Sequence, residues 1–425
     1  MNETEREKRK RKLARKRREQ VKRQRMILGC VMLAVIFGGI LIFVGKACTN
    51  DAKEAGAKIE KKEKGKKQKG KKQKPKKKEE SLHMVAVGDN FYHDTVLAEG
   101  QSESGQWDFN FLYEHIKKEI QAADLAIVNQ EVPLISNPDE ATGYPLFGTP
   151  LEGGEALANA GFDVVAMATN HSYDKGSTGI QESVSFWKER HPEMTLLGIH
   201  DSPESQEKER VKIIEKNGFK IAMLNYTTLI NIGAQVPEEE SYCVDVYDEE
   251  QVKIDVAKAK EEADLVMVYL HTGTEYENEP DQATQERIDF LAEQGVDIAL
   301  CSHPHVLRPF GMKARPDGEQ MLVYYSLGNF VSGQTGMTQL LEGMADITIK
   351  RDEKTGKVVI SDYSMKPLVM HYESGHTGYA VYPFEDYTEE MAKRHGIHED
   401  SDEEFTMESM QEYFNNYINE METGR

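Results

Sequence analysis

The chain has 425 residues, 39% of them hydrophobic, and a formal net charge of -20 at neutral pH. Two regions of opposite sign lie beneath that average: residues 1–80 carry 28 Lys+Arg against 10 Asp+Glu, and the remainder carries 25 against 63. The basic segment points to a membrane rather than to nucleic acid, because it encloses a long uncharged run, and the four cysteines show no zinc-ribbon or redox-pair spacing.

Residues 1–25 read as a basic cytoplasmic tail, and 26–47 as one transmembrane helix. From Ile27 to Val44 eighteen positions pass without a charge, which at ~1.5 Å per residue nearly spans a ~30 Å hydrocarbon core. A cleaved signal peptide is the rival reading, but this run is longer than its usual ~7 to 15 apolar residues and the basic front is long. Arg15 to Arg25 are crowded with Lys and Arg, whereas 45–60 mixes both signs. The N-terminus is therefore expected inside and the large domain outside the cell. Residues 48–80 are Lys-rich with almost no apolar content, the composition of a disordered linker. That linker serves either as a solvated spacer or as a polycation touching lipid headgroups, wall polymer or another anionic polymer.

From Leu82 short apolar runs alternate with amphipathic stretches, the pattern of an α/β domain, here placed over 81–384. In chain order HMVAVGD reads as a strand, FNFLYEHIKKEIQAAD as a helix, LAIVNQE as a strand, GGEALANAG as a helix, FDVVAMATN as a strand and GIQESVSFWKER as a helix. Asn217-Gly218 divides two alternating segments and predicts a type I′ hairpin. A helix over 250–263, the strand DLVMVYLHTG, a helix ending at Gly295 and the strand VDIALCSHPH follow. MLVYYSLGNF reads as a further strand, and a second hairpin turns at Lys354-Thr355-Gly356. The whole predicts a mixed sheet or two stacked sheets with helices outside, then an acidic, weakly helical tail over 385–425.

Polar residues gather where these strands end. Asp89 ends the first, Asn129 and Glu131 the second, Asn170 and His171 the third, His271 a fourth, and His303 and His305 a fifth. Open α/β sheets bind ligands beyond the carboxyl ends of their strands, so separate strands can deliver these groups to one place. Carboxylates, imidazoles and an amide oxygen without thiolate suit one or two divalent ions such as Mn, Fe or Zn. Taken singly each has a duller reading: Asp89 in a turn, Asn170 capping a helix, Glu131 merely solvated, His303-Pro304-His305 a polar loop.

VGDNF, VNQEVPL, ATNHSYDKG, the stretch from YLHTGTEYENEPD to ALCSHPHV, and YYSLGNF together resemble the poly-γ-glutamate capsule biosynthesis (CapA-type) family, over about Met84 to Phe330. That family resembles calcineurin-like metallophosphoesterases, which implies a sandwich of two mixed β-sheets flanked by helices. It also implies that Asp89 and His305 hold one metal, that Asn170, His271 and His303 hold the other, and that Glu131 bridges. By the same resemblance His171 sits beside the scissile group, Asp174 orients it or forms a turn, and Asn129, Glu275, Tyr276 and Asn329 lie toward the substrate. The sequence departs from the phosphoesterase pattern at Phe91, where a histidine is usual, at Asn129-Gln130-Glu131 and at Ser172, and from the capsule family's own histidine-Trp-Gly segment at Thr272. Neither His83 nor His93 has the spacing to replace the missing ligand.

The resemblance implies a membrane-anchored protein of capsule or exopolymer production or export, working with a membrane polymer synthase. An extracytoplasmic metal-dependent phosphoesterase of wall or nucleotide esters is a second reading, and a non-enzymatic scaffold for the synthase a third.

Overall fold

Leu125–Gln130 is buried at all six positions, as a central strand covered on both faces must be. It pairs in parallel with Ser81–Asn90 on one side and Val164–Ala166 on the other. The computed structural model, which describes residues 80–417 apart from positions 232 and 234, builds an eight-stranded mixed sheet around these three. Its order is Thr377–Pro383, Val358–Glu373, Leu341–Arg351, Ser81–Asn90, Leu125–Gln130, Val164–Ala166 and Thr195–Leu197, with Asn329–Val331 pairing beside the end of Ser81–Asn90. A six-stranded sheet runs Phe310–Ala314, Gln320–Tyr324, Ile298–Ser302, Leu265–His271, Phe219–Thr227 and Lys212–Lys216. The domain is thus α/β with two mixed sheets, as expected.

The strand period of two decides which side chains face the other sheet. Met267 and Tyr269 join Val87, Val128 and Leu300 in one core, and the Tyr269 hydroxyl donates across to the Val87 carbonyl at 2.9 Å. Val266, Val268 and Leu270 point the other way, onto Val252, Val256, Ile288 and Leu291 of helices Glu249–Glu262 and Gln282–Gln294. His271 is the next residue in the inward series after Met267 and Tyr269. The helix beneath it is capped at both ends: Asp281 accepts from Thr284 N–H at 2.8 Å, and Gly295 adopts φ 85°. Asn217 and Gly218 both have positive φ, at 51° and 85°, giving the expected primed turn between Lys212–Lys216 and Phe219–Thr227.

Three sequence expectations need correction. FNFLYEHIKKEIQAAD is not one helix but a 3-10 segment, Asn110–Tyr113, and a short α-helix, Lys117–Ala122. The buried Tyr113 hydroxyl donates to Asn90 Oδ1 at 2.7 Å, a tertiary anchor that holds this turn. MLVYYSLGNF is two strands in different sheets, Gln320–Tyr324 and Asn329–Val331. The crossing passes through Gly328, φ 71°, whose carbonyl lies only 1.9 Å from where a Cβ on Gly88 would stand, so the first strand needs glycine there. FDVVAMATN is strand only over Val164–Ala166, which frees Met167 to Asn170 to turn into the site.

The predicted transmembrane helix and nearly all of the Lys-rich linker lie outside the described residues; among those described, no helix is long and apolar enough to cross a membrane. After Phe384 the chain forms Glu389–Arg394, Ile397–Asp400 and Met407–Tyr417. Tyr387, Ile397, Phe405, Met410 and Phe414 from this segment are buried in the same core as the larger sheet.

His395, 1% exposed, makes the folded state sensitive to acid. Its Nδ1 accepts from Ile397 N–H at 3.0 Å while Nε2 donates to the Met370 carbonyl at 3.1 Å, so the neutral ring satisfies both. Burial pulls its pKa down to about 3. An unfolded chain takes up that proton near pH ~6.5, so the stabilisation is complete above that pH and is lost as pH falls toward the folded value. Melting temperature is expected to fall between pH 7 and 4, and more gently in His395→Asn. Identical slopes for the two proteins would refute this assignment.

Candidate metal centre

The five strand ends converge. Asp89 is wholly buried; its Oδ1 accepts from Asn129 Nδ2 at 2.7 Å, and its Oδ2 accepts from His303 N–H at 3.1 Å and lies 3.3 Å from His305 Nδ1. His271 Nε2 donates to Asn170 Oδ1 at 2.7 Å, and its Nδ1 lies 3.0 Å from Ser302 Oγ. Glu131 Oε1 stands 3.8 Å from both His271 Nε2 and His305 Nε2. Three overlapping groups have ligand atoms within 4.8 Å of one another: Glu131, His271 and His303; Asp89, Glu131 and His305; and Glu275, His303 and His305.

Backbone conformation is part of this cup. His303, His305 and Tyr276 hold φ of 98°, 59° and 63°, a left-handed region that side chains other than Gly and Asn rarely occupy. Their hydrogen bonds oppose that cost: His303 N–H donates to Asp89, and Tyr276 N–H donates to the Pro304 carbonyl at 2.8 Å. Such strain clusters where a site needs side chains aimed at one point.

The polar atoms left over indicate what the cup can hold. Both oxygens of Glu131, Asn129 Oδ1 and His303 Nδ1 are buried with no hydrogen-bond partner, although buried polar groups are nearly always paired. Burial drives the Glu131 carboxyl well above its ordinary pKa, and the charges of Asp89 and Glu275 add to that despite His305. Burial pulls His305 down, yet Glu131 and Asp89 outweigh it and lift the imidazole to about 9. Burial likewise raises Asp89, but its hydrogen bond to His305 and the His271 and His305 charges hold it at about 2. His271 and His303 are kept neutral by desolvation, His271 at about 3. Two carboxyl groups and three imidazoles, of which His271 and His303 are held neutral, packed with unsatisfied polar atoms, form a donor set that fits a divalent cation.

His171 sits at the edge, 6% exposed. Its Nδ1 lies 2.6 Å from Asp174 Oδ2, which also accepts from Phe147 N–H at 2.8 Å. Asp174 therefore both orients His171 and ties down a loop. Asn170 does not cap the following helix, which starts at Gly176 after Lys175. Asn329 Oδ1 lies 2.9 Å from His305 Nδ1, fixing that ring from behind. Glu275 and Tyr276 lie on the rim, the Tyr276 ring 6.0 Å from His305. Phe91, where the phosphoesterase pattern has histidine, packs 5.1 Å from the His305 ring and 5.7 Å from Phe147. His93 does not replace the missing ligand: its ring lies 4.9 Å from Phe91, and Nδ1 accepts from Gly333 N–H at 3.0 Å.

Two further residues were not singled out in the sequence. Asn231 Nδ2 lies 3.2 Å from the His171 ring nitrogens, and its N–H donates to the Asn170 carbonyl at 3.1 Å. It follows the strand Phe219–Thr227, so the rule of strand ends could have found it. Arg308 is wholly buried, and its guanidinium donates to the carbonyls of Glu277 and Thr274 at 2.7 and 2.9 Å. It clamps the loop carrying Glu275 and Tyr276, and nothing in its local sequence signals this.

A family model described as bacterial capsule synthesis protein PGA_cap matches residues 83–334. The chain belongs to this family. Every residue of the cup falls within the matched span. The chain is 27% identical over 263 residues to the capsule biosynthesis protein CapA of Bacillus anthracis, covering 60% of this chain and 61% of that one. It is 26% identical over 225 residues to the PGA biosynthesis protein CapA of Bacillus subtilis, covering 52% and 57%. The similarity thus spans about three-fifths of the length of these capsule relatives. Among solved structures, the NAD nucleotidase of Haemophilus influenzae is similar with a TM-score of 0.44 at 12% identity, over 79% of this chain and 59% of that one.

Proposed function

We propose that this capsule-family chain is a membrane-anchored, extracytoplasmic protein that supports production or export of an anionic polymer, with poly-γ-glutamate the candidate, through metal-dependent phosphoester chemistry in the cup. The observation that carries the chemistry is Glu131, a buried carboxyl whose two oxygens have no hydrogen-bond partner although Oε1 stands 3.8 Å from both His271 and His305. In this reading the fold is a calcineurin-like sandwich. Asp89 and His305 hold one side of the cation site, Asn170, His271 and His303 hold the other, and Glu131 lies between. The Phe91 ring against His305 favours one tightly held ion over two. When bound, a divalent ion supplies Lewis-acid polarisation of a phosphoryl oxygen.

The remaining work belongs to the chain's own side chains. His171, oriented by Asp174 and Asn231, protonates a leaving oxygen or stabilises charge on it. Asn129 keeps Asp89 aimed inward, and the wall of Phe91 and Phe147 limits water. The uncharged run from Ile27 to Val44, with its basic flank, supports the anchor and the outward placement of the domain. Proximity to the membrane would bring the domain to a polymer synthase or exporter. The reading predicts manganese-dependent hydrolysis of bis(p-nitrophenyl) phosphate that stops on chelation and returns on adding manganese. Fully metal-loaded protein without turnover on any phosphoester would favour a scaffold instead.

A further inference from the structure

Large apolar side chains exposed to solvent are few among the described residues, and three of them stand around the cup: Tyr144 at 74%, Leu146 at 40% and Tyr276 at 51%. The two tyrosines end a continuous arc of rings. Tyr144 lies 6.3 Å from Phe147, Phe147 lies 5.7 Å from Phe91, Phe91 lies 5.1 Å from His305, and His305 lies 6.0 Å from Tyr276. The middle of the arc is buried and its ends are bare.

Tyr276 is built into this position. Its φ of 63° is unfavourable for a bulky residue, yet its N–H is tied to the Pro304 carbonyl and its hydroxyl accepts from Gln334 Nε2 at 3.2 Å. The carbonyls on either side of it, of Thr274 and Glu277, are gripped by the buried Arg308 guanidinium. A strained backbone with this much support presents a ring to solvent beside the candidate chemistry. The same lip exposes Glu275, Glu277 and Glu279, a charge arrangement that repels a polycarboxylate chain.

We infer that the cup takes a compact phosphoester whose phosphoryl group is carried on an uncharged aromatic ring, with that ring held between Tyr144 and Tyr276, and that the capsule polymer itself is not its ligand. This inference rests on the phosphoester reading above. Offset or edge-on ring contacts add about 0.5–1.5 kcal/mol each beyond burial, so an aromatic ligand gains roughly tenfold over an aliphatic one with the same anionic head.

The test is calorimetric titration of the manganese-loaded full chain with phenylphosphonate and with methylphosphonate, which needs no turnover. The expected result is about tenfold tighter binding of phenylphosphonate. That preference should shrink toward equality in Tyr276→Ala and in Tyr144→Ala, and persist in Tyr276→Phe. Both alanine substitutions lie at exposed rings, so folding is retained. Equal affinities in the parent protein, or a preference that neither alanine variant reduces, overturns the aromatic clamp while leaving the phosphoester reading in place. Binding of neither phosphonate sinks the phosphoester reading and the clamp together.

Discussion

His271→Ala is expected to lose both bound metal and phosphoester turnover, the latter by about 100-fold or more. Partners that merely orient a ligand commonly cost 10–100-fold when removed, and His271 is proposed as a ligand itself. Its ring is wholly buried, with Nε2 at Asn170 Oδ1 and 3.8 Å from Glu131. Truncating it removes one donor and leaves the others around a hole. His171→Gln separates the two roles: metal content should stay near the parent value while turnover falls by about 100-fold, within the ordinary range for a general acid. Elemental analysis alongside initial rates reads both quantities. Metal retained at the parent level in His271→Ala would remove that histidine from the cation site.

Deleting residues 385–425 is expected to abolish folding. The deletion strips Tyr387, Ile397, Phe405, Met410 and Phe414 from the main core. Fully burying a large apolar side chain is worth about 1.5–3 kcal/mol. Five such losses are comparable to a typical domain stability of about 5–15 kcal/mol. The cut also removes the Tyr413 hydroxyl, which accepts from Asn278 Nδ2 at 3.0 Å, and so loosens the loop that carries Tyr276. Circular dichroism and solubility of the truncated chain decide the matter. A soluble, cooperatively melting product would show that this segment is an appendage.

Much of this architecture could be read from residue patterns, because strands that are buried on both faces leave unbroken apolar runs and their polar terminators stand out. Asp89, Glu131, His271 and His303 each follow such a run, and one rule about strand ends predicted their meeting. Asn231 obeys the same rule less visibly, since Thr228, Leu229 and Ile230 separate it from the end of its strand at Thr227. Arg308 and Tyr144 were illegible for a different reason. Their roles depend on which distant carbonyl or ring they approach, and that is set by packing of loops rather than by any local period. The broken helix at Asn110–Tyr113 failed similarly: its apolar spacing is helical, and only the bond from Tyr113 to Asn90 explains the tighter turn. MLVYYSLGNF misled because a continuous apolar run hides a change of sheet, betrayed only by Ser326-Leu327-Gly328 in its middle.

Glu131 is the pivotal residue, since a buried carboxyl without a hydrogen bond among three imidazoles is otherwise hard to justify. Anomalous diffraction from crystals of the protein grown with manganese tests it most directly. A peak is expected inside the cup, about 2.0–2.3 Å from an oxygen of Glu131 and from ring nitrogens of His271 and His303. A cup without anomalous signal at saturating manganese, with Glu131 hydrogen-bonded to protein groups instead, would contradict it.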